Sequence, residues 1–386
     1  MHTHEGELCC PLTLRKDVEL TDVISVSELI KVYKEFWNWD VSGEFGEVTE
    51  LRRYYTPAAH FWFFDPPVTA SPSYYAHLST IMPYQETKHE FDVARTLIKE
   101  TDRVFEFGCG EGHFSKYISC VQYTGIELNS TATSLAIDGG LDVRNFCGSY
   151  VPKDSKYDVI CAFQVLEHLA EPAVALASWV DALEPGGRLI LGLPNCDSFV
   201  SIMINNCLNL PPHHVTWWTP STLQFLPKLL PIQVETIVAA TAAEDGTELA
   251  IAQAYVERCI FELAEGHEPP LVSAVPNLLK YRTLRDVLAE QLLSSCCEII
   301  RPMTAHTMIA VLHKLRLEAW ADTNAHKYMT QPDAGNATAR ALSSMGRFGD
   351  NERRIASFKK QLAMFDASVE AVRERLAKVM EWTNGR

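Results

Sequence analysis

A chain of 386 residues, 47% hydrophobic and 22% charged, has the balance of an ordinary soluble globular protein long enough for two or three domains. A net charge of −15 works against nucleic acid and anionic membrane surfaces, so no nucleic-acid partner is expected. No apolar run approaches the roughly 18–20 residues of a membrane span, and Met1-His2-Thr3-His4-Glu5 lacks a secretory pattern. Eleven cysteines without a C-x-x-C pair suit reduced thiols in the cytoplasm.

Residues 1–84 hold the aromatic clusters Phe36-Trp37-Asn38-Trp39 and Phe61-Trp62-Phe63-Phe64, interrupted by prolines at 57, 66, 67 and 72. Clusters of this kind form core; the alternative is a cap that supplies one wall of an acceptor pocket. His2, His4, Cys9 and Cys10 have metal-ligand chemistry, but an unstructured terminus is the expectation there. Glu86–Lys99 reads as an amphipathic helix with Phe91, Ala94, Leu97 and Ile98 on one face. Strand and helix signals then alternate within a core of residues 85–240, which predicts a doubly wound α/β sheet. Strands are expected near 103–107, 121–126, 142–147, 157–163 and 187–193. A long loop, 194–218, follows the fifth strand and opens over the site, because open α/β sheets bind ligands beyond their carboxyl ends.

Thr219-Pro220-Ser221 starts a helix with proline in its first turn, and a sixth strand is expected near 232–238. Residues 241–305 read as a helical insertion before a final strand at 306–314, within a segment 306–321. Residues 322–386 comprise a polar connection and a helix whose Ile355, Phe358, Leu362, Phe365, Val369, Val372, Leu376 and Val379 keep 3-4 spacing. Such a seam either packs on the protein's own body or joins copies of the chain through 355–379.

The most informative stretch is Val104-Phe105-Glu106-Phe107-Gly108-Cys109-Gly110-Glu111-Gly112-His113-Phe114. It reads as a strand, a glycine turn that brings backbone N–H groups close to a ligand, and a helix N-terminus. Its glycines stand two apart, which disfavours the G-x-G-x-x-G dinucleotide fingerprint of a dehydrogenase. About twenty residues on, Tyr123-Thr124-Gly125-Ile126-Glu127 ends a second strand in a carboxylate, a two-oxygen acceptor suited to ribose hydroxyls. Leu166-Glu167-His168, Leu183-Glu184-Pro185-Gly186-Gly187 and Leu193-Pro194-Asn195 follow in order. Together these motifs resemble the class I S-adenosylmethionine-dependent methyltransferases, in the branch acting on small molecules and glycans.

That resemblance implies a Rossmann-like seven-stranded methyltransferase core with an N-terminal cap, helical insertion and C-terminal helix, and S-adenosylmethionine as cofactor. It implies that Glu106, Gly108 and Gly110 meet the cofactor's amino-acid portion and that Gly112 lets the next helix approach. By the same carry-over Glu127 holds the ribose, Leu128 packs beside the adenine, Ser149 bonds the adenine amino group, and Gln164 lies near the methyl. The loop segment Pro211-Pro212-His213-His214 followed by Trp217-Trp218 resembles the acceptor side of sugar- and glycan-pathway enzymes. His213 or His214 suits deprotonation of an acceptor hydroxyl, and His168 is either catalytic or a packing residue. Adjacent histidines rarely share one ion and no carboxylate cluster adjoins them in sequence, so no metal is expected. The predicted activity is O-methylation of a small polar molecule, sugar or glycan. The alternatives are N- or C-methylation of an activated sugar or natural-product intermediate, and a non-catalytic assembly protein on the same fold.

Overall fold

The computed structural model describes residues 3–4, 7–145, 151, 156–265, 270–272, 282–316 and 319. In chain order these form β1 (Thr3–His4), β2 (Glu7–Leu8), β3 (Glu19–Ser25), α1 (Val26–Trp37), α2 (Ser42–Phe45), β4 (Glu50–Thr56), β5 (Phe61–Asp65) and α3 (Pro72–Ile81). Next come α4 (His89–Arg95), β6 (Arg103–Phe107), β7 (Gln122–Glu127), α5 (Ser130–Asp138), β8 (Val143–Asn145), β9 (Tyr157–Phe163), α6 (Pro172–Ala182) and β10 (Leu183–Pro194). The remainder are β11 (Thr216–Trp217), α7 (Pro220–Phe225), β12 (Ile232–Thr241), α8 (Ala242–Asp245), α9 (Glu248–Glu265), α10 (Arg282–Ile300) and β13 (Thr304–Lys314).

Seven strands make one sheet in the order β12-β13-β10-β9-β6-β7-β8. β10, β9, β6, β7 and β8 run parallel, and β13 lies antiparallel between β10 and β12. This is the Rossmann-like seven-stranded core expected from the motifs. Its central strands are largely apolar because both faces are covered, and successive residues alternate between two cores. Val104, Val159, Cys161, Phe163 and Ile190 face one side with Phe91 and Ala94 of α4. Phe105, Phe107, Ile160, Ala162, Leu189 and Leu191 face the other with Leu176 and Trp179 of α6. The strand order reverses between β6 and β9, opening a crevice at their carboxyl ends.

The N-terminal segment forms a second sheet in the order β11-β5-β4-β3. Its β11 comes from the loop 194–218: Thr216 pairs with Phe63 and Trp217 with Trp62. The long loop is thereby sewn to the N-terminal sheet instead of crossing the site freely. The aromatic clusters supply its core, with Phe64 and Leu51 buried against Tyr33, Tyr74 and Trp217.

Three expectations need correction. The helix predicted over 86–99 is confined to α4, since the Thr96 hydroxyl donates to the Val93 carbonyl and Asp102 accepts from the Lys99 amide. After the glycine turn there is only a short 3-10 segment, His113–Tyr117, whose Ser115 hydroxyl bonds back to the Gly112 carbonyl. Cys9 and Cys10 are not part of an unstructured terminus: both are buried, and Cys10 packs with Leu12, Ala59 and Phe61. The insertion is helical where described, and α9 and α10 share a core with Phe199, Val200 and Ile204 of the long loop. The heptad helix at 355–379 lies outside the described residues.

Candidate active site

β6 delivers Glu106 into the crevice, 2% exposed, where the Tyr123 hydroxyl of the neighbouring strand donates to its Oε2. A carboxylate in this apolar strand needs such a donor. Burial pushes its pKa up to about 7, against the opposing pull of the Tyr123 bond and the Lys88 charge. The chain then turns through Gly108, Gly110 and Gly112, all left-handed at φ +63°, +54° and +76°. A Cβ at these positions would also collide, with Val165 at 2.5 Å, the Tyr84 ring at 2.9 Å and Leu141 at 2.2 Å. The conformation and the close approach both demand glycine.

Glu127 ends β7 and fixes the turn from the other side. Its Oε2 accepts from the Gly110 amide at 2.9 Å and its Oε1 from the Asn129 amide at 2.8 Å. Burial raises its pKa, while those two amides favour the charged form. Asn129 in turn caps α5 through the Thr131 and Ala132 amides. Beyond β9, Gln164 is held in the left-handed region at φ +58°, its amide bonded to the Gly192 carbonyl at 2.8 Å. Its side chain donates to Glu90 at 2.9 Å. A non-glycine residue kept in this conformation stores strain that the surrounding bonds must hold.

A cavity of about 600 Å³ joins these parts. Glu106, Gly108, Gly110, Glu127, Leu128 and Gln164 line it, as do His168 and His213. Its volume lies within the range of small-molecule sites, about 300–1,000 Å³. Gly112 is absent from the lining and acts beneath the loop, under Leu141. His214 is buried behind the wall, bonded through Nδ1 to Asn209. Ser149 lies outside the described residues. Sequence reasoning missed Tyr75, Leu78, Tyr84 and Lys88, contributed by α3 and the segment before α4. No motif marks them; they reach the cavity from α3 and from the segment that joins it to α4.

The long loop reaches the site through backbone bonds: the Val215 amide donates to the Glu167 carbonyl at 2.9 Å. His213 and His214 both donate their amides to the Leu210 carbonyl, and His168 Nδ1 lies 2.6 Å from the His213 carbonyl. The three imidazoles adjoin one another, with ring centroids 4.6–4.9 Å apart. Burial lowers the His168 pKa to about 4 and those of His213 and His214 well below the ordinary value. All three are neutral at pH 7.

Residues 83–226 match a family model described as a methyltransferase domain. Among curated proteins, a ubiquinone biosynthesis O-methyltransferase of Marinobacter nauticus is 26% identical over 132 residues, 30% of this chain and 56% of that protein. A protein of Mycolicibacterium smegmatis named "Probable S-adenosylmethionine-dependent methyltransferase" is 32% identical over 122 residues, 30% of this chain and 48% of the other. The chain thus spans about half the length of these curated relatives. A solved methyltransferase from Archaeoglobus fulgidus is 17% identical with a TM-score of 0.38, over 62% of this chain and 99% of that one. Residues 83–226, which match the methyltransferase-domain model, contain β6 to β10 and the glycine turn between Glu106 and Glu127.

Proposed function

We propose that the chain transfers a methyl group from S-adenosylmethionine to an oxygen of a small polar acceptor, a sugar or glycan-pathway molecule being the class favoured. One observation carries the reading: the cavity walled by Glu106, Glu127 and the glycine turn is also walled by His168 and His213. The carboxylate and glycine end suits a cofactor with an ammonium group and ribose hydroxyls. The histidine end suits an acceptor whose proton must leave. When bound, the cofactor supplies a sulfonium-activated methyl group and its leaving group.

Orientation and proton handling fall to the protein's own residues. Glu106, in its ionised form, pairs with the ammonium group. Glu127 accepts from ribose hydroxyls while keeping the Gly110 amide in place. The strained Gln164 marks the boundary between cofactor and acceptor, with Leu128 on the adenine side. His168 and His213 meet the acceptor, and His214 supports them from behind. Oxygen as the methylated atom is supported by the histidine cluster and by the O-methyltransferase named among the relatives. Nine cysteines among the described residues are free thiols, which supports a reducing, cytoplasmic setting. Among those residues no helix is long and apolar enough to cross a membrane.

The test is S-adenosylhomocysteine release from S-adenosylmethionine across a panel of hydroxyl- and amine-bearing sugars, nucleotide sugars and phenols. Turnover of hydroxyl acceptors, reduced at least tenfold by His213→Ala, supports the reading. Turnover confined to amines and indifferent to His213→Ala favours the nitrogen alternative, since an amine needs no strong base. No turnover with any acceptor by cofactor-bound protein favours the assembly role.

A further inference from the structure

Four side chains from two separate segments converge behind the acceptor end of the cavity. Glu167 and His168 leave β9, and His213 and His214 come from the long loop. One ring nitrogen from each histidine lies within 4.8 Å of the other two. Glu167 Oε1 stands 3.7 Å from His168 Nε2 and 3.9 Å from His214 Nε2. Glu167 is 1% exposed, and neither of its oxygens has a hydrogen-bond partner; His213 Nδ1 is likewise buried without one. An ionised carboxylate withdrawn from water with no donor is costly, so Glu167 in its charged form needs a positive group beside it.

The spacings are too long for hydrogen bonds. They are close to those of groups sharing one ion, because ligands at about 2.0–2.2 Å from a tetrahedral centre stand roughly 3.4 Å apart. Side-chain shifts of less than about 1 Å would close the difference. The outer contacts support the same geometry. His214 Nδ1–H donates to the Asn209 carboxamide oxygen at 3.0 Å and His168 Nδ1–H to the His213 carbonyl at 2.6 Å. The His214 bond sets the tautomer that leaves its Nε2 with a lone pair toward Glu167, as in histidines that bind metals. His168 Nε2 also lies 3.1 Å from the Gln164 carbonyl, a contact that a bound ion would replace.

We propose that Glu167, His168, His213 and His214 bind one divalent transition ion at the acceptor end of the cavity, with zinc best suited to this nitrogen-rich set. Sequence spacing led to the opposite expectation, because the carboxylate and third histidine stand some 45 residues from the adjacent pair. His168 and His213 border the cavity while Glu167 and His214 do not, so the acceptor oxygen would reach the ion from the cavity side as a fifth ligand. There it would lower the pKa of a coordinated hydroxyl, as zinc lowers that of bound water. The hydroxyl proton goes to solvent, the alkoxide oxygen bonds to the methyl carbon, and the carbon–sulfur bond breaks with its electron pair on sulfur. This role rests on the methyl-transfer reading; the binding site does not.

The test uses the full chain, stripped with chelator and titrated with zinc and with cobalt(II). The expected result is one retained equivalent after gel filtration and the visible bands of low-coordinate cobalt(II). Glu167→Gln and His214→Ala should each weaken binding by at least 10-fold, whereas a His2→Ala/His4→Ala control should not. Circular dichroism identifies folded variants, and the wild-type cobalt spectrum decides if both site variants misfold. Folded wild type that retains no stoichiometric ion, or retention unchanged in folded Glu167→Gln, overturns the proposal. S-adenosylmethionine binding is measured on the same samples, so loss of the metal site and failure of the enzyme reading are separable.

Discussion

Glu106 faces two demands that act on its proton in opposite directions. Burial raises its pKa to about 7, so the empty folded protein prefers it protonated near neutrality, whereas a cofactor ammonium prefers it charged. Because the folded value exceeds the unfolded one, its contribution to stability is complete below about pH 4.5 and is lost as pH rises through about 7. Thermal melts of cofactor-free protein should show Glu106→Gln and wild type alike at pH 5. At pH 8 the variant should be more stable by on the order of 3 kcal/mol. Cofactor affinity has the opposite slope: wild type should bind roughly 8-fold tighter at pH 7.5 than at pH 6, with a flat profile in Glu106→Gln. A flat wild-type profile would remove Glu106 from the ammonium site. Gly110→Ala tests the turn itself. Its φ of +54° and the Tyr84 ring 2.9 Å from the new Cβ should cost about 1–3 kcal/mol of stability and abolish cofactor binding, read by melting and calorimetry. Near-normal binding in that variant would mean the ligand does not need this turn.

At the scale of elements, the loop 194–218 decides what the acceptor meets. It is fixed at three points: β11 on the N-terminal sheet, the Val215 amide on Glu167, and Phe199, Val200 and Ile204 in the core of α9 and α10. The helical insertion is therefore a support for the loop as well as an interruption between β12 and β13. Thr241 and Thr304 pair across those strands, so a short turn can replace residues 242–303 without breaking the sheet. Such a variant should fold and bind cofactor within about threefold of wild type. It should lose at least tenfold in acceptor turnover, because the apolar underside of the loop is left uncovered. Full turnover in the shortened chain would show that the loop is held by the N-terminal sheet alone.

For the molecule as a whole, the central sheet was legible because buried parallel strands announce themselves as apolar runs and the glycine turn has its own spacing. Glu106, Glu127, Gln164 and His168 were legible as exits from those strands. The remainder of the cavity wall was not, since Tyr75, Tyr84 and Lys88 reach it through the tertiary packing of α3 and the segment after it, which no local pattern encodes. The same limit hid the convergence of Glu167 with the loop histidines: each group is ordinary in sequence, and only folding brings them together. The seam at 355–379 tests assembly at this scale. Truncation before Ile355 should lower the mass seen by light scattering to that of a single chain, and an unchanged mass would remove the joining role. The most direct test of the central claim is calorimetric titration of the purified chain with S-adenosylmethionine and S-adenosylhomocysteine, with NAD and Glu127→Ala as controls. The account predicts micromolar or tighter binding of both sulfur ligands, none of NAD, and a loss of about 10- to 100-fold in the variant, the size expected for charged hydrogen bonds. Well-folded wild type that binds neither sulfur ligand would contradict it.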